Sequence, residues 1–196
     1  NRTYVHDSHG NMVSLSLTGN GVNGARTTSY EYDNKGRVTK ITEPGNFVTK
    51  YTRLAYTGWV QKEELPNGNY ISYNYDGFGR VTYTTTQVGG PTSITHSWAN
   101  GLFGALTKIT TKPTGLPPTT VWYDAYDREI RREESGLIST MITSNLFNTK
   151  GQLVRVTNPD NTTVNYTYDN LGRLLNEKFI DLNKSYSYTA NTVTVT

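Results

Sequence analysis

The chain is 196 residues long, 34% hydrophobic and 18% charged, with 15 Tyr, 18 Gly, no Cys and a formal net charge of +3. The lack of cysteine excludes disulfide staples and thiolate chemistry, and no stretch approaches the roughly 20 apolar residues of a membrane-spanning helix. The 19 Lys and Arg are dealt out along the chain rather than clustered, which argues against a nucleic-acid interface. Richness in aromatic, β-branched and turn-forming residues is the chemistry of β-sheet.

Taken in chain order, one turn keeps returning. His6-Asp7-Ser8-His9-Gly10 opens the series, and Tyr32-Asp33-Asn34-Lys35-Gly36-Arg37 states it in full. Tyr56-Thr57-Gly58-Trp59 is a weaker copy, and Tyr75-Asp76-Gly77-Phe78-Gly79-Arg80 is a second full one. Trp98-Ala99-Asn100-Gly101-Leu102-Phe103-Gly104 keeps only an aromatic and the glycine. Irregular turns are therefore expected at Gly58 and Gly104, and the Gly89-Gly90-Pro91 segment reads as a longer loop. In Tyr123-Asp124-Ala125-Tyr126-Asp127-Arg128 an aspartate replaces the glycine, and Asp is one of the few other residues that visit the left-handed region. Phe147-Asn148-Thr149-Lys150-Gly151 keeps an aromatic and an oxygen acceptor, and Tyr168-Asp169-Asn170-Leu171-Gly172-Arg173 is the third full copy. Turns near 10, 36, 58, 79, 104, 127, 151 and 172 lie 21 to 26 residues apart, a period of about 23 that suits a repeat architecture.

Each repeat reads as a β-hairpin. Residues 162–168 alternate with period two, so that Val164, Tyr166 and Tyr168 share a face, and residues 173–179 return as the second strand. Between them Asp169 offers its carboxylate to backbone N–H groups, and Gly172 supplies positive φ. A second turn type alternates with the first at Pro44-Gly45-Asn46, Pro66-Asn67-Gly68, Pro113-Thr114-Gly115 and Pro159-Asp160-Asn161, with Asp181-Leu182-Asn183 closing the series. Proline presets the first corner, and Gly or Asn tolerates positive φ at the next. The expected fold is all-β, an array of about eight β-hairpin repeats over residues 1–196 forming an antiparallel strip of about sixteen strands. At about 4.8 Å per strand the strip would be roughly 75 Å wide, and strand twist requires it to curl. Tyrosines at one position per hairpin are expected to align as aromatic ladders. Asp33, Gly36, Asp76, Gly79, Asp124, Asp127, Gly151, Asp169 and Gly172 are the expected structural turn residues.

At these residues the chain resembles the RHS or YD repeat family, with its Tyr-Asp, two variable residues, Gly-Arg and a following Pro-Asp-Gly-like turn. The resemblance covers essentially the whole chain. It implies a β-strip that spirals into a hollow shell, as in the repeat regions of bacterial Rhs toxins, toxin-complex shell proteins and teneurins. The function so implied is a structural shell segment, enclosing or presenting a passenger polypeptide in a secreted bacterial toxin or surface protein. Its partners would be the remainder of its own chain or an enclosed toxin. The chain is then expected to be a fragment of a longer array. The self-cleaving aspartyl-protease-like segment that often follows such repeats has no recognisable copy here.

Other chemistry is weakly supplied. His6 and His9 flank the first turn, but two histidines there fall short of a metal site. Glu63-Glu64 and Glu133-Glu134 are adjacent strand residues that point to opposite faces, so they make poor acid and base pairs. No catalytic, metal or cofactor-binding residues are assigned, and the chain is read as a non-enzyme. Asn1, Asn161, Asn165 and Asn183 begin glycosylation sequons, which arise easily in a Thr- and Asn-rich array. The alternative function is an extracellular carbohydrate- or protein-binding adhesion module, with Trp59, Trp98 and Trp122 as candidates for stacking on glycans.

Overall fold

The computed structural model describes residues 1–19, 24–136, 138–190 and 192–196. They form eighteen strands and one short 3₁₀ turn, and the chain divides into two compact units, residues 1–93 and 94–196. The first unit holds β1 (Arg2–His6), β2 (Met12–Leu17), β3 (Arg26–Tyr32), β4 (Val38–Glu43), β5 (Phe47–Arg53), β6 (Val60–Glu64), β7 (Tyr70–Tyr75), β8 (Val81–Thr86) and the opening of β9 (Gly90–Trp98). Each strand pairs antiparallel with the next. Cross-strand partners point to the same side of a sheet. The partners Tyr30↔Ile41 and Tyr51↔Glu63↔Ile71 therefore gather tyrosine and aliphatic side chains on one face. Ser16↔Thr27, Lys40↔Lys50 and Lys62↔Ser72 lie on the other.

The second unit contains the rest of β9, the 3₁₀ turn Leu102–Gly104, β10 (Thr107–Pro113), β11 (Thr119–Tyr123), β12 (Glu129–Ser135), β13 (Thr140–Phe147), β14 (Leu153–Thr157), β15 (Thr163–Tyr168), β16 (Leu174–Lys178), β17 (Asn183–Tyr188) and β18 (Val193–Val195). Its strands from β10 to β18 pair antiparallel in sequence order. Ile109↔Val121, Val156↔Val164 and Tyr166↔Glu177 occupy one face, and Thr110↔Thr120, Lys108↔Trp122 and Thr167↔Asn176 the other.

The array is all-β and hairpin-built. Eighteen strands exceed the sixteen of eight hairpins because β17 and β18 add another, closed by Thr189 donating its N–H to the Thr192 carbonyl at 3.0 Å. Threonine there replaces the aspartate, so the sequence motif does not announce it. The proline turns carry positive φ at Asn46, Gly68, Gly115 and Asn161. The expected long loop is not there. Gly90 and Pro91 belong to β9, paired with Thr86 and Thr85, rather than to a long loop. Gly90 takes φ +69°, and Thr86 Oγ1 accepts the Gly89 N–H at 2.9 Å, so two glycines and a hydroxyl make a tight corner.

A conventional core is nearly lacking. Among the described residues the buried hydrophobics are Ala99, Ala105, Val121, Trp122 and Val164, all in the second unit, and no polar residue is buried. Most strand side chains are half-exposed, so backbone ladders and side-chain hydrogen bonds carry a larger share of the stabilisation than in a packed domain.

Candidate functional site

The repeating turn is the most elaborate local structure in the chain. Asp33 Oδ1 accepts the N–H of Lys35 at 2.9 Å and of Arg37 at 3.0 Å, while Oδ2 accepts Arg37 Nε at 2.7 Å. The same three bonds recur from Asp76 to Phe78 and Arg80, from Asp124 to Tyr126 and Arg128, and from Asp169 to Leu171 and Arg173. A carboxylate thus staples the corner shut by satisfying N–H groups that the turn leaves unpaired. The Arg37 side chain, then its backbone N–H, holds the Asp33 carboxyl down at about 2. At Asp169 the Arg173 backbone N–H leads the same downward shift.

Two turns keep the geometry with other groups. Asp7 accepts from His9 N–H and Asn11 N–H, and Asn11 Nδ2 replaces the arginine on Oδ2 at 2.9 Å. Asn148 Oδ1 accepts from Lys150 and Gln152, and its own Nδ2 donates to Gln152 Oε1 at 2.8 Å. The residue four later is Asn11 beside an unchanged acid at Asp7, and Gln152 where Asn148 replaces the acid. The left-handed corner is occupied at Gly10, Gly36, Gly58, Gly79, Gly104, Asp127, Gly151 and Gly172, with φ between +60° and +85°. Of these eight turns, among the described residues, those at Gly58 and Gly104 have no side-chain oxygen in the acid's place. Leu54 and Ala99 stand in its place and donate their N–H to the carbonyls of Trp59 and Leu106, each at 2.9 Å.

The tyrosine before the acid does something other than build a ladder. Tyr32 Oη donates to the Met12 carbonyl at 2.7 Å, Tyr75 to Val60 at 2.6 Å, Tyr168 to Leu153 at 2.8 Å and Tyr188 to Leu174 at 2.7 Å. In each case the acceptor lies two residues past the preceding turn's corner. The inter-hairpin ladders stop short of these carbonyls, for example at Ser14↔Ser29, Lys62↔Ser72 and Arg155↔Asn165. The hydroxyl therefore clasps one repeat to the last where the strands splay. Arg53 Nε and Nη2 do the same for Val38, and Asn145 Nδ2 for Glu129, whose neighbour Phe147 has no hydroxyl. Equivalent positions sit two strands apart, about 9.6 Å, too far for ring contact. The rings instead receive the residue that follows the preceding corner: Trp59 on Tyr75 at 5.1 Å, Arg128 over Phe147 and Arg173 over Tyr188, both at 4.5 Å.

The three tryptophans part company. Trp98 is 67% exposed and Trp122 only 5%, while Trp59 lies over Gly79, where an added Cβ would fall 2.6 Å from its ring. Trp122 packs with Ala99, Ala105 and Ile130, and its indole N–H is buried without an acceptor among the described residues. His6 pairs with Met12 at the end of β1, and His9 lies in the first turn. Glu64 pairs with Lys62 and Glu133 with Arg131. Glu63 instead accepts the Tyr73 hydroxyl at 3.3 Å on the tyrosine-rich face; burial first, and then the Glu63 charge, pushes the Tyr73 hydroxyl above its ordinary value.

This turn-and-clasp geometry is where the family comparison falls. Residues 147–178, from Phe147 in one aromatic slot through the Tyr168 turn to the end of β16, match the RHS Repeat family model. This stretch is similar to an RHS repeat. No curated protein matches. Among solved structures, TcdB2-TccC3 without its hypervariable C-terminal region is 16% identical with a TM-score of 0.69, over 97% of this chain and 12% of that one. TcdB2-TccC3-TEV is 14% identical with a TM-score of 0.64, over 95% of this chain and 11% of that one. The likeness is one of fold, and this chain spans a small part of those chains. For the repeat here, the acid, the corner glycine and the aromatic are readable from sequence. The clasp acceptors are carbonyls and carry no sequence signal. Arg53 and Asn145 are visible only once the missing hydroxyls at their turns are noticed.

Proposed function

We propose that this chain is a segment of structural β-shell wall, one RHS repeat region over residues 1–196 within a longer array. It encloses or presents a passenger polypeptide in a secreted bacterial toxin or surface protein. The observation that carries this reading is the union of an almost coreless sheet with a clasp at nearly every repeat junction. Such a wall gains length one repeat at a time without needing a closed core. The fold likeness to TcdB2-TccC3, of which this chain spans 12%, supports a place inside a larger shell. Its action is exclusion: the wall separates a passenger from solvent, and no residue of the array acts on a substrate. No helix among the described residues is long and apolar enough to cross a membrane.

Limited proteolysis of the full gene product tests this. The segment beyond the array should resist protease while the wall is intact and become sensitive once the wall is unfolded; cleavage at the rate of the isolated segment would refute enclosure. The adhesion reading draws on Trp98 alone, whose exposed ring suits sugar stacking. Glycan-array binding lost in Trp98→Ala would favour it, and unchanged binding would remove it.

A further inference from the structure

The 3₁₀ turn Leu102–Gly104 is where the described array departs furthest from its own pattern. Phe103 there takes φ +58°, an unusual conformation for an aromatic residue. Its ring meets Trp122 edge-on at 5.7 Å and lies beneath the Arg131 guanidinium at 4.0 Å. Strained backbone and broken local rules concentrate at sites of function.

Phe103 walls an open pocket of about 550 Å³, in the size range of small-molecule sites. The pocket lies where the β12–β13 ladder ends at Arg131↔Ser144, and the register Leu146↔Arg155 sets an apolar and a cationic side chain side by side in its lining. Phe103 is 51% and Leu146 49% exposed. The charges there are unequal in status. Arg128 is bound to Asp124 and Arg131 to Glu133. The Arg155 guanidinium, which lines the pocket, makes no hydrogen bond or ion pair with any described residue. A free guanidinium in a lining that also holds Phe103, Ile130, Leu146 and Phe147 matches a carboxylate on an apolar body, because its planar fork pairs with two carboxylate oxygens and sheds water readily.

We propose that this pocket binds an aromatic carboxylate, with the carboxylate on Arg155 and the ring against Phe103 and Leu146. The assignment is independent of whether the wall encloses a passenger. The test is an NMR titration of the ¹⁵N-labelled 196-residue chain with N-acetylphenylalanine and with N-acetylphenylalaninamide, following the backbone amides of residues 144–146 and Arg155 Nε. The acid should give saturable shifts and the amide none. Arg155 is exposed and unpaired, so Arg155→Gln should fold normally and bind the acid at least about tenfold more weakly. A third probe, acetyl-Phe-Asp-amide, places the carboxylate on a side chain. Binding of both acids assigns the site to an acidic segment of polypeptide, and binding of N-acetylphenylalanine alone assigns it to a small acid or a chain terminus. Either result supports the proposal. Equal shifts from acid and amide, equal affinity in Arg155→Gln, or the lack of any saturable shift would overturn it.

Discussion

Two turns of the second unit, the regular one at Asp169 and the irregular one at Ala99, close the same kind of corner by different physics. At Asp169 one carboxylate takes two backbone N–H groups and an arginine, and the side chains around it stay exposed or half-exposed. At Ala99 the carboxylate is gone, the loop is longer, and Ala99, Ala105 and Trp122 bury themselves together. The repeat at Ala99, without its hydrogen-bond staple, holds a small apolar cluster instead. Each corner needs closing, and either bonding or packing suffices.

The contrast is most severely tested by removing the packing. Trp122→Ala should destabilise the second unit by about 3 kcal/mol, read in denaturant unfolding, with faster amide exchange first in β10 to β12. A loss near zero would mean that the irregular turn is held by something else. On the regular side, Gly79→Ala and Gly172→Ala both force a side chain into the left-handed region, at a cost of about 1–2 kcal/mol. Gly79→Ala should cost more, because its Cβ would meet the Trp59 ring at 2.6 Å whereas the nearest atom at Gly172 is Gln152 Nε2 at 3.4 Å.

Smaller still is the clasp. Tyr168→Phe deletes the hydroxyl bonded to the Leu153 carbonyl and should cost about 0.5–1.5 kcal/mol, with exchange rising between β14 and β15 rather than within the β15–β16 hairpin. The mildest probe is acid. The folded-state value at Asp33 lies below the ordinary carboxylate value of 3.8, at about 2, so its stabilisation is complete above about pH 4 and is lost as pH falls through 2. Amide shifts of Lys35 and Arg37 should titrate in that window. Those of Lys150 and Gln152, bound to the amide of Asn148, should not follow a carboxylate in their own turn.

Much of this architecture was legible in the sequence. Periodic Tyr-Asp and Pro turns, with strand-like alternation between them, define hairpins and their corners because turn geometry is a local matter decided by a few residue types. The aromatic ladder was misread for a geometric reason: one tyrosine per hairpin places rings two strands apart, and the hydroxyl reaches where the ring cannot. Gly89-Gly90-Pro91 was misread because the same residues serve both long loops and tight corners. The pocket at Phe103 and Arg155 brings together residues with no common motif: strand register sets Leu146 beside Arg155, and the 3₁₀ turn supplies Phe103.

The lean of each corner's following residue over the next corner has a genetic consequence. Beside Gly58 an added Cβ would strike Arg37, beside Gly79 it would strike Trp59, and beside Gly151 it would approach Arg128. The side chain that suffers belongs to the repeat before. Second-site suppressors of a damaged corner should therefore map 20 to 23 residues upstream, with smaller side chains at position 59 restoring folding to Gly79→Ala while changes inside its own hairpin do not.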